Sequence, residues 1–372
     1  MKKYFVMTAL AVSTLTASAQ SVVPKWINNV KLSGFGIVQY TYNGQENNES
    51  NSFNLRLARL ALDGRAFDDW YWKAQIQFNG NTSTLGSSPK LVDLFIEWQK
   101  YDFLRVKAGQ FKNPFTYENP MHPIDQGFMN YSQVISKFAG FSDRAGAHSS
   151  NGRDIGVQLQ GDFLKNASGR NLIHYQVGVF NGQGINVKDV DQQKNIIGGA
   201  WVMPVEGMRL GAFGWIGSYA RKGTSASEGI TNTTLRRLQQ RRYAFSAEYK
   251  VDDWTFRSEY VHSTGYAFAK AMVNTNDASA KDITLSSNGD KSQGVYALVI
   301  APIIKKKCHA KARYDMYQPS KGAEKQRTQY EIGLDYYFNK NICLTGEYAY
   351  IHDRALADPN YSMIDVELSY RF

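Results

Sequence analysis

Apolar and polar residues alternate with a period of two along most of the chain. In residues 70–78, Trp70, Trp72, Ala74, Ile76 and Phe78 stand against Tyr71, Lys73, Gln75 and Gln77. In 362–372, Ile364, Val366, Leu368, Tyr370 and Phe372 alternate with Asp365, Glu367, Ser369 and Arg371. Successive side chains of a strand point to opposite faces, so each segment has one apolar and one polar side. The same pattern predicts strands over 30–42, 53–63, 92–98, 103–111, 153–163, 171–181, 194–203, 207–219, 241–251, 253–264, 292–301, 307–316, 328–338 and 341–351. With 70–78 and 361–372 these make sixteen strands. Within 53–63 the phase breaks between Leu57 and Leu60, which predicts a bulge.

The connections alternate in length. Those at 63–70, 100–102, 162–170, 204–206, 252, 302–306 and 339–340 are short; others, such as 43–51, 221–240 and 265–291, are mostly longer. Residues 112–152 form a long irregular segment holding Pro114, Pro120 and Pro123, and all nine prolines fall outside the strands or at their ends. Short turns on one rim and long loops on the other predict an all-β fold, a transmembrane antiparallel β-barrel of about sixteen strands. The last strand is expected to pair with the first and leave no edge. Trp70, Trp98, Trp254, Tyr336, Phe338 and Phe372 fall on the short-turn side, and Tyr42, Phe78, Tyr243, Tyr314 and Tyr350 on the long-loop side. Two such belts match two membrane interfaces. A soluble sandwich or propeller would need polar residues on faces that here carry Leu, Val, Ile, Trp and Tyr. A barrel of this size is expected to enclose an aqueous lumen.

The mean hydropathy of −0.43 excludes a helical membrane protein but not a barrel, whose two faces average out. Residues 1–19 read as a signal peptide: Lys2 and Lys3, a short apolar core, then Ala17-Ser18-Ala19 as the cleavage site. The barrel domain is then 20–372. Cys308 and Cys343 fall on opposite faces of strands two apart, about 10 Å from each other and beyond disulfide reach, so free thiols are expected. The net charge is +10 and falls by two without Lys2 and Lys3. No nucleic-acid motif accompanies it; the expected partners are small anionic or polar solutes and membrane lipids including lipopolysaccharide.

Residues 106–115, Val-Lys-Ala-Gly-Gln-Phe-Lys-Asn-Pro-Phe, resemble the Gly-Gln-Phe-Lys-x-Pro-Phe signature of the phosphate-selective porin O and P family. Residues 54–60 with Gly64 resemble its Arg-rich second strand, and 152–157 and 175–182 the strands after its third long loop. The similarity spans nearly all of the chain after residue 19. The resemblance implies a sixteen-stranded outer-membrane barrel of a Gram-negative bacterium, a homotrimer passing anions, with the third loop, 112–152, folded into the lumen.

A pore selects by the charges that line it. The phasing turns Lys31, Arg56, Arg59, Lys73, Arg105 and Lys107 into the lumen, with Lys112, Lys137 and Arg144 in or beside the third loop. Arg suits phosphate-like anions through its planar fork, and Lys acts as a point charge. Glu331, Asp335, Glu347, Asp365 and Glu367 face inward from the last strands, as do Glu248 and Glu259 with Lys250 and Arg257 as partners. A basic wall opposite an acidic one makes a transverse field that orients polar solutes generally. A further basic cluster, Arg221, Lys222, Arg236, Arg237, Arg241 and Arg242, falls in the expected loop before strand ten, either as a funnel for anions or as a contact for lipopolysaccharide phosphates. The six His form no spaced cluster with Ser, Cys or carboxylates, so no catalytic residue, metal site or cofactor is expected. The function expected is a water-filled diffusion channel for small solutes with an anion, possibly phosphate, preference. The alternatives are a plugged structural barrel or an outer-membrane barrel enzyme.

Overall fold

The computed structural model describes residue 24 and residues 26–79, 89–141, 152–225, 230–265 and 291–372. The signal segment 1–19 and Arg144 lie outside these. The described chain is one closed antiparallel barrel of sixteen strands: β1 (Ile27–Asn43), β2 (Ser50–Ala66), β3 (Trp70–Gln77), β4 (Lys90–Tyr101), β5 (Leu104–Lys112), β6 (Arg153–Lys165), β7 (Asn171–Phe180), β8 (Asn195–Val202), β9 (Met208–Ser225), β10 (Ile230–Val251), β11 (Trp254–Thr264), β12 (Lys291–Ile304), β13 (Cys308–Gln318), β14 (Arg327–Asn339), β15 (Ile342–Asp353) and β16 (Asn360–Arg371). Each strand pairs with its sequence neighbours, and β1 closes on β16 from Phe35↔Arg371 to Asn43↔Met363. The rings of Tyr370 and Phe372 lie over Gly36 and Gly34, where a side chain would collide with them.

The two faces separate as the alternation requires. Leu55, Leu62, Leu94, Ile216, Phe245, Ile332 and Leu334 are exposed on the outside, while Gln39, Arg59, Asp93, Glu259 and Asp335 turn in and are buried. Trp70, Trp254, Phe338 and Phe372 are exposed near one rim, and Tyr42, Phe78, Tyr243 and Tyr350 near the other. Between β10 and β11 the chain turns in two residues, Asp252-Asp253, with φ of +50° and +73°, a turn whose twist matches the strands. Cys308 and Cys343 are both free thiols, as expected.

Two expectations change. The bulge is at Arg56, not between Leu57 and Leu60: Ile37 pairs with Leu57 and Val38 with Leu55, so Arg56 is the extra residue. That extra residue lets Arg56 and Arg59, three apart, share the inner face. The segment 221–240 is mostly strand rather than loop. β9 runs to Ser225 and β10 starts at Ile230, and the two stay paired residue by residue from Thr234↔Gly223 to Tyr249↔Met208. Residues 112–141 of the third loop lie inside the lumen, as the resemblance implied. Phe115, Tyr117, Phe128, Val134, Ile135 and Phe138 of the third loop are buried against Phe180, Ile197, Phe213, Trp215, Val261 and Tyr296 of the wall.

Gly109 makes a close approach in the barrel's first half. Its φ is +133°, and a Cβ there would sit 2.2 Å from the Leu94 carbonyl oxygen and against Phe95. Gly109→Ala should cost roughly 1–3 kcal/mol, while Gly214→Ala, with open space around it, should cost far less. Urea unfolding midpoints of the two variants check this; equal midpoints would contradict it.

Candidate functional site: the lumen and its third loop

The signature segment has a structural task at each position. Phe95 packs over Gly109, and Lys107 lies 4.9 Å and 5.4 Å above the rings of Phe95 and Phe111. Gln110 donates to the carbonyls of Leu91 and Val92, and its own carbonyl accepts the Asn186 N–H (2.8 Å). Phe111 and Phe115 join the buried cluster. Lys112 donates to the Asn119 and Met121 carbonyls at 2.6 Å and 2.7 Å, turning the loop inward at its start. Asn119 then bonds the carbonyls of Asn113 and Gly152, clasping the loop's two ends.

Beyond Asn119 the loop crosses the lumen. His122 meets the Phe35 ring edge-on at 4.4 Å, and Asp125 accepts from Arg371 at 2.9 Å and 3.1 Å. Burial lowers the His122 pKa to about 4, which leaves the imidazole neutral with Nδ1 accepting the Ile124 N–H. A short helix, α1 (Gln133–Phe138), follows, capped by Ser132, whose N–H and hydroxyl both donate to Glu118.

A backbone inside a protein must have its N–H and C=O groups met. Here the barrel wall meets them. Glu259 accepts the N–H groups of Tyr117 (2.6 Å) and Glu118 (2.9 Å), and is itself held by Ser246 and the Tyr296 hydroxyl. Asp315 accepts the Gln133 N–H at 2.7 Å, where a carboxylate suits the positive end of α1. Glu347 accepts the Met129 N–H (2.9 Å), and Asp365 takes a side chain of the loop, the Asn130 Nδ2 (3.0 Å). The carbonyls are taken by bases: Arg257 on Gln126, Lys311 on Gly127, Arg313 on Asn130 and Arg242 on Phe138.

The predicted acidic residues all face inward, and each has a partner. Glu331 forms a forked pair with Arg313 (2.5 Å and 2.8 Å). Lys311 sits between Asp335 (2.8 Å) and Glu347 (2.7 Å), and Arg56 pairs with Glu367 (2.8 Å). Asp365 is bonded by Gln39 and Asn130. The acidic wall is therefore chiefly a seat for the third loop, with its own bases built in. Lys311, Arg313, Asp315 and Arg242 do most of the seating and were not singled out as lumen-lining. Their signal was present in β13, where His309, Lys311, Arg313 and Asp315 alternate with Ala310, Ala312 and Tyr314.

The predicted bases divide. Arg105 pairs with Asp162, and Lys107 with Glu97 at 3.5 Å. Lys137 lies on α1 beside the Tyr317 ring. Lys31 is exposed at the short-turn end of β1, before the β1–β16 pairing begins, and belongs to the rim rather than to a constriction. Arg59, Lys73 and Lys112 border a cavity of about 290 Å³ between the β2–β7 wall and loop residues Pro114 and Pro120–Pro123. Among the described residues none of these three has a carboxylate within 4 Å. Arg59 bonds Gln77 (3.0 Å) instead, and Arg153, on the same cavity, pairs with Asp93 at 2.6 Å. A second cavity of about 450 Å³ lies against β10–β16, bordered by Asp125, His309, Lys311, Asp335 and Glu367. The crossing strand of loop, 119–129, separates the two.

Residues 33–191 match the family model of the phosphate-selective porin O and P. Over that segment the chain is similar to this family. It is a porin of the Gram-negative outer membrane, a diffusion channel in a closed sixteen-strand barrel. Solved porins share the fold. The anion-selective porin from Comamonas acidovorans superposes with a TM-score of 0.62 at 13% identity, over 92% of this chain and 99% of that one. The outer membrane channel DcaP of Acinetobacter baumannii gives 0.59 at 13% identity, over 92% and 97%. OmpT of Vibrio cholerae in its trimer form gives 0.58 at 14% identity, over 92% and 99%. No match was found among curated proteins.

Glu259→Gln removes the charge from the bonds that hold Tyr117 and Glu118, and should weaken loop docking by about 1.5–3 kcal/mol. Single-channel recordings should then show higher and noisier conductance than wild type. Identical conductance and identical thermal stability would contradict the assigned role.

Proposed function

We propose that this porin passes small anions along the β2–β7 wall, beside the third loop. The observation that carries the reading is the division of charge. The inward carboxylates of β10–β16 are engaged with wall bases, with the loop backbone or, for Asp365, with the side-chain amides of Gln39 and Asn130, whereas Arg59, Lys73 and Lys112 border the opposite cavity with no carboxylate within 4 Å among the described residues. Uncompensated cations in a confined aqueous space raise the local concentration of anions. Lys112 is spent on two loop carbonyls, so Arg59 and Lys73 are the residues that meet the solute. Their spacing along one wall supports stepwise transfer with weak binding at each site. A phosphate preference is the narrower form of the reading, supported by the family's description and by the fork of Arg59. Assembly as a homotrimer is supported by the OmpT trimer among the structural neighbours. Outer-leaflet lipids, lipopolysaccharide among them, surround the barrel. The same charge division disfavours a barrel that serves as an enzyme, because these side chains are committed to one another and to the loop.

Planar-bilayer recordings in a salt gradient test the reading. The wild type should show stepwise conductance with a reversal potential on the anion-selective side. Arg59→Gln with Lys73→Gln should move that potential toward zero, and phosphate should block chloride current more weakly in the variant. An unchanged potential would overturn the roles of Arg59 and Lys73, and a silent bilayer would overturn the channel reading.

A further inference from the structure

The outer wall of β10–β13 carries a polar and cationic feature that the transport path does not use. Arg241 pairs with Thr264, and Thr264 with Lys291, so the three stand side by side on adjacent strands. Neighbouring strands are about 4.8 Å apart, which puts the backbones of Arg241 and Lys291 about 10 Å from each other. All three point outward, since their neighbours Arg242, Ser263 and Ser292 are buried on the inner face. Arg241 and Lys291 are exposed, and among the described residues neither has a carboxylate within 4 Å.

Directly below this row lies the long-loop aromatic belt. The rings of Tyr243 and His262 stack at 5.1 Å, the Tyr260 hydroxyl donates to Gln293 (3.0 Å), and Gln293 donates to Gln318 (2.8 Å). The cations therefore sit one row beyond the membrane interface, on the side of the long loops. Six residues further down β12, about 20 Å toward the membrane centre, an apolar groove of about 560 Å³ opens to the lipid. Its floor is small, Ala297 and Ala312, and its banks are Tyr314, Tyr330, Tyr348 and Tyr350.

We propose that this face binds one phosphorylated glycolipid of the outer leaflet, its phosphate on the Arg241–Thr264–Lys291 row and the lower part of an acyl chain in the Ala297–Ala312 groove. A guanidinium fork, a hydroxyl and an ammonium in one row complement a phosphate. A positive row at headgroup level draws anionic lipid, and the groove's depth and apolar lining suit a single chain. A neighbouring protein subunit would place apolar area, not phosphate, against the two cations and leave them unmet. The inference rests on the outer-membrane placement and not on the anion preference, because none of these side chains faces the lumen.

Native mass spectrometry of the full-length protein in mild detergent tests it, with diphosphorylated lipid A and its dephosphorylated form as probes. The wild type should retain the diphosphorylated probe at least tenfold more tightly than the dephosphorylated one. Arg241→Gln with Lys291→Gln should lose that difference, and Ala297→Trp should weaken both probes while leaving the tenfold ratio. The variants' conductance in phosphatidylcholine bilayers should match wild type, which separates a failed lipid site from a failed channel. Equal retention of the two probes by the wild type would overturn the proposal. So would a double variant that keeps its lipid, or one that loses subunits instead of lipid, the sign of a protein interface.

Discussion

The arrangement of the lumen follows from one constraint: a loop placed inside a barrel must have its backbone polar groups satisfied. Residues 113–141 leave the solvent and lie where neither helix nor sheet can serve most of their amides. The wall supplies the missing partners. Glu259, Asp315 and Glu347 act as acceptors, and Arg242, Arg257, Lys311 and Arg313 as donors. Charges so deep in a protein would be costly singly. Here most are paired as well, Arg313 with Glu331, Lys311 with Asp335 and Glu347, and Arg257 with Glu248 at 2.7 Å. The apolar half of the loop completes the seat against the aromatic lining of β7–β13.

That constraint decides what is left to act on solutes. Carboxylates committed to the loop contribute a fixed, locally balanced field. On the far wall Lys112 holds two loop carbonyls, while Arg59 and Lys73 border the open space. Selectivity in this barrel is thus a remainder: what the wall retains after the loop has been anchored. The loop's crossing at His122 and Asp125 divides that remainder between two cavities of different sign, the basic one against β2–β7 and the mixed one against β10–β16.

Most of the barrel was legible in its alternation, because a strand with lipid on one side and water or protein on the other has no freedom in its period. All sixteen strands, the seam at 362–372 and the opposite faces of Cys308 and Cys343 follow from it. The bulge at Arg56 was displaced because apolar Leu57 turns inward there, opposite buried Ile37. The extension at 221–240 was missed because a run so rich in polar and charged residues resembles a solvated loop. Inward direction was also legible for the charged residues; their roles were not. Nothing local to Glu347 or Asp365 says that Met129 and Asn130, over two hundred residues earlier in the chain, will be their partners.

The seam carries a consequence for how the barrel forms. Phe372 exchanges both backbone hydrogen bonds with Gly34, and Gln39 reaches Asp365 across the same joint. Contacts between residues so far apart in sequence cost the most chain entropy to bring together, and they slow folding. β1 therefore has to wait with one edge unpaired until β16 arrives, and an unpaired edge invites wrong partners. The small residues Gly34 and Gly36 keep that waiting edge narrow and leave room for the rings of Tyr370 and Phe372 to lie across it. Assembly in this protein is thus a race between closure by its own last strand and pairing with a stray one.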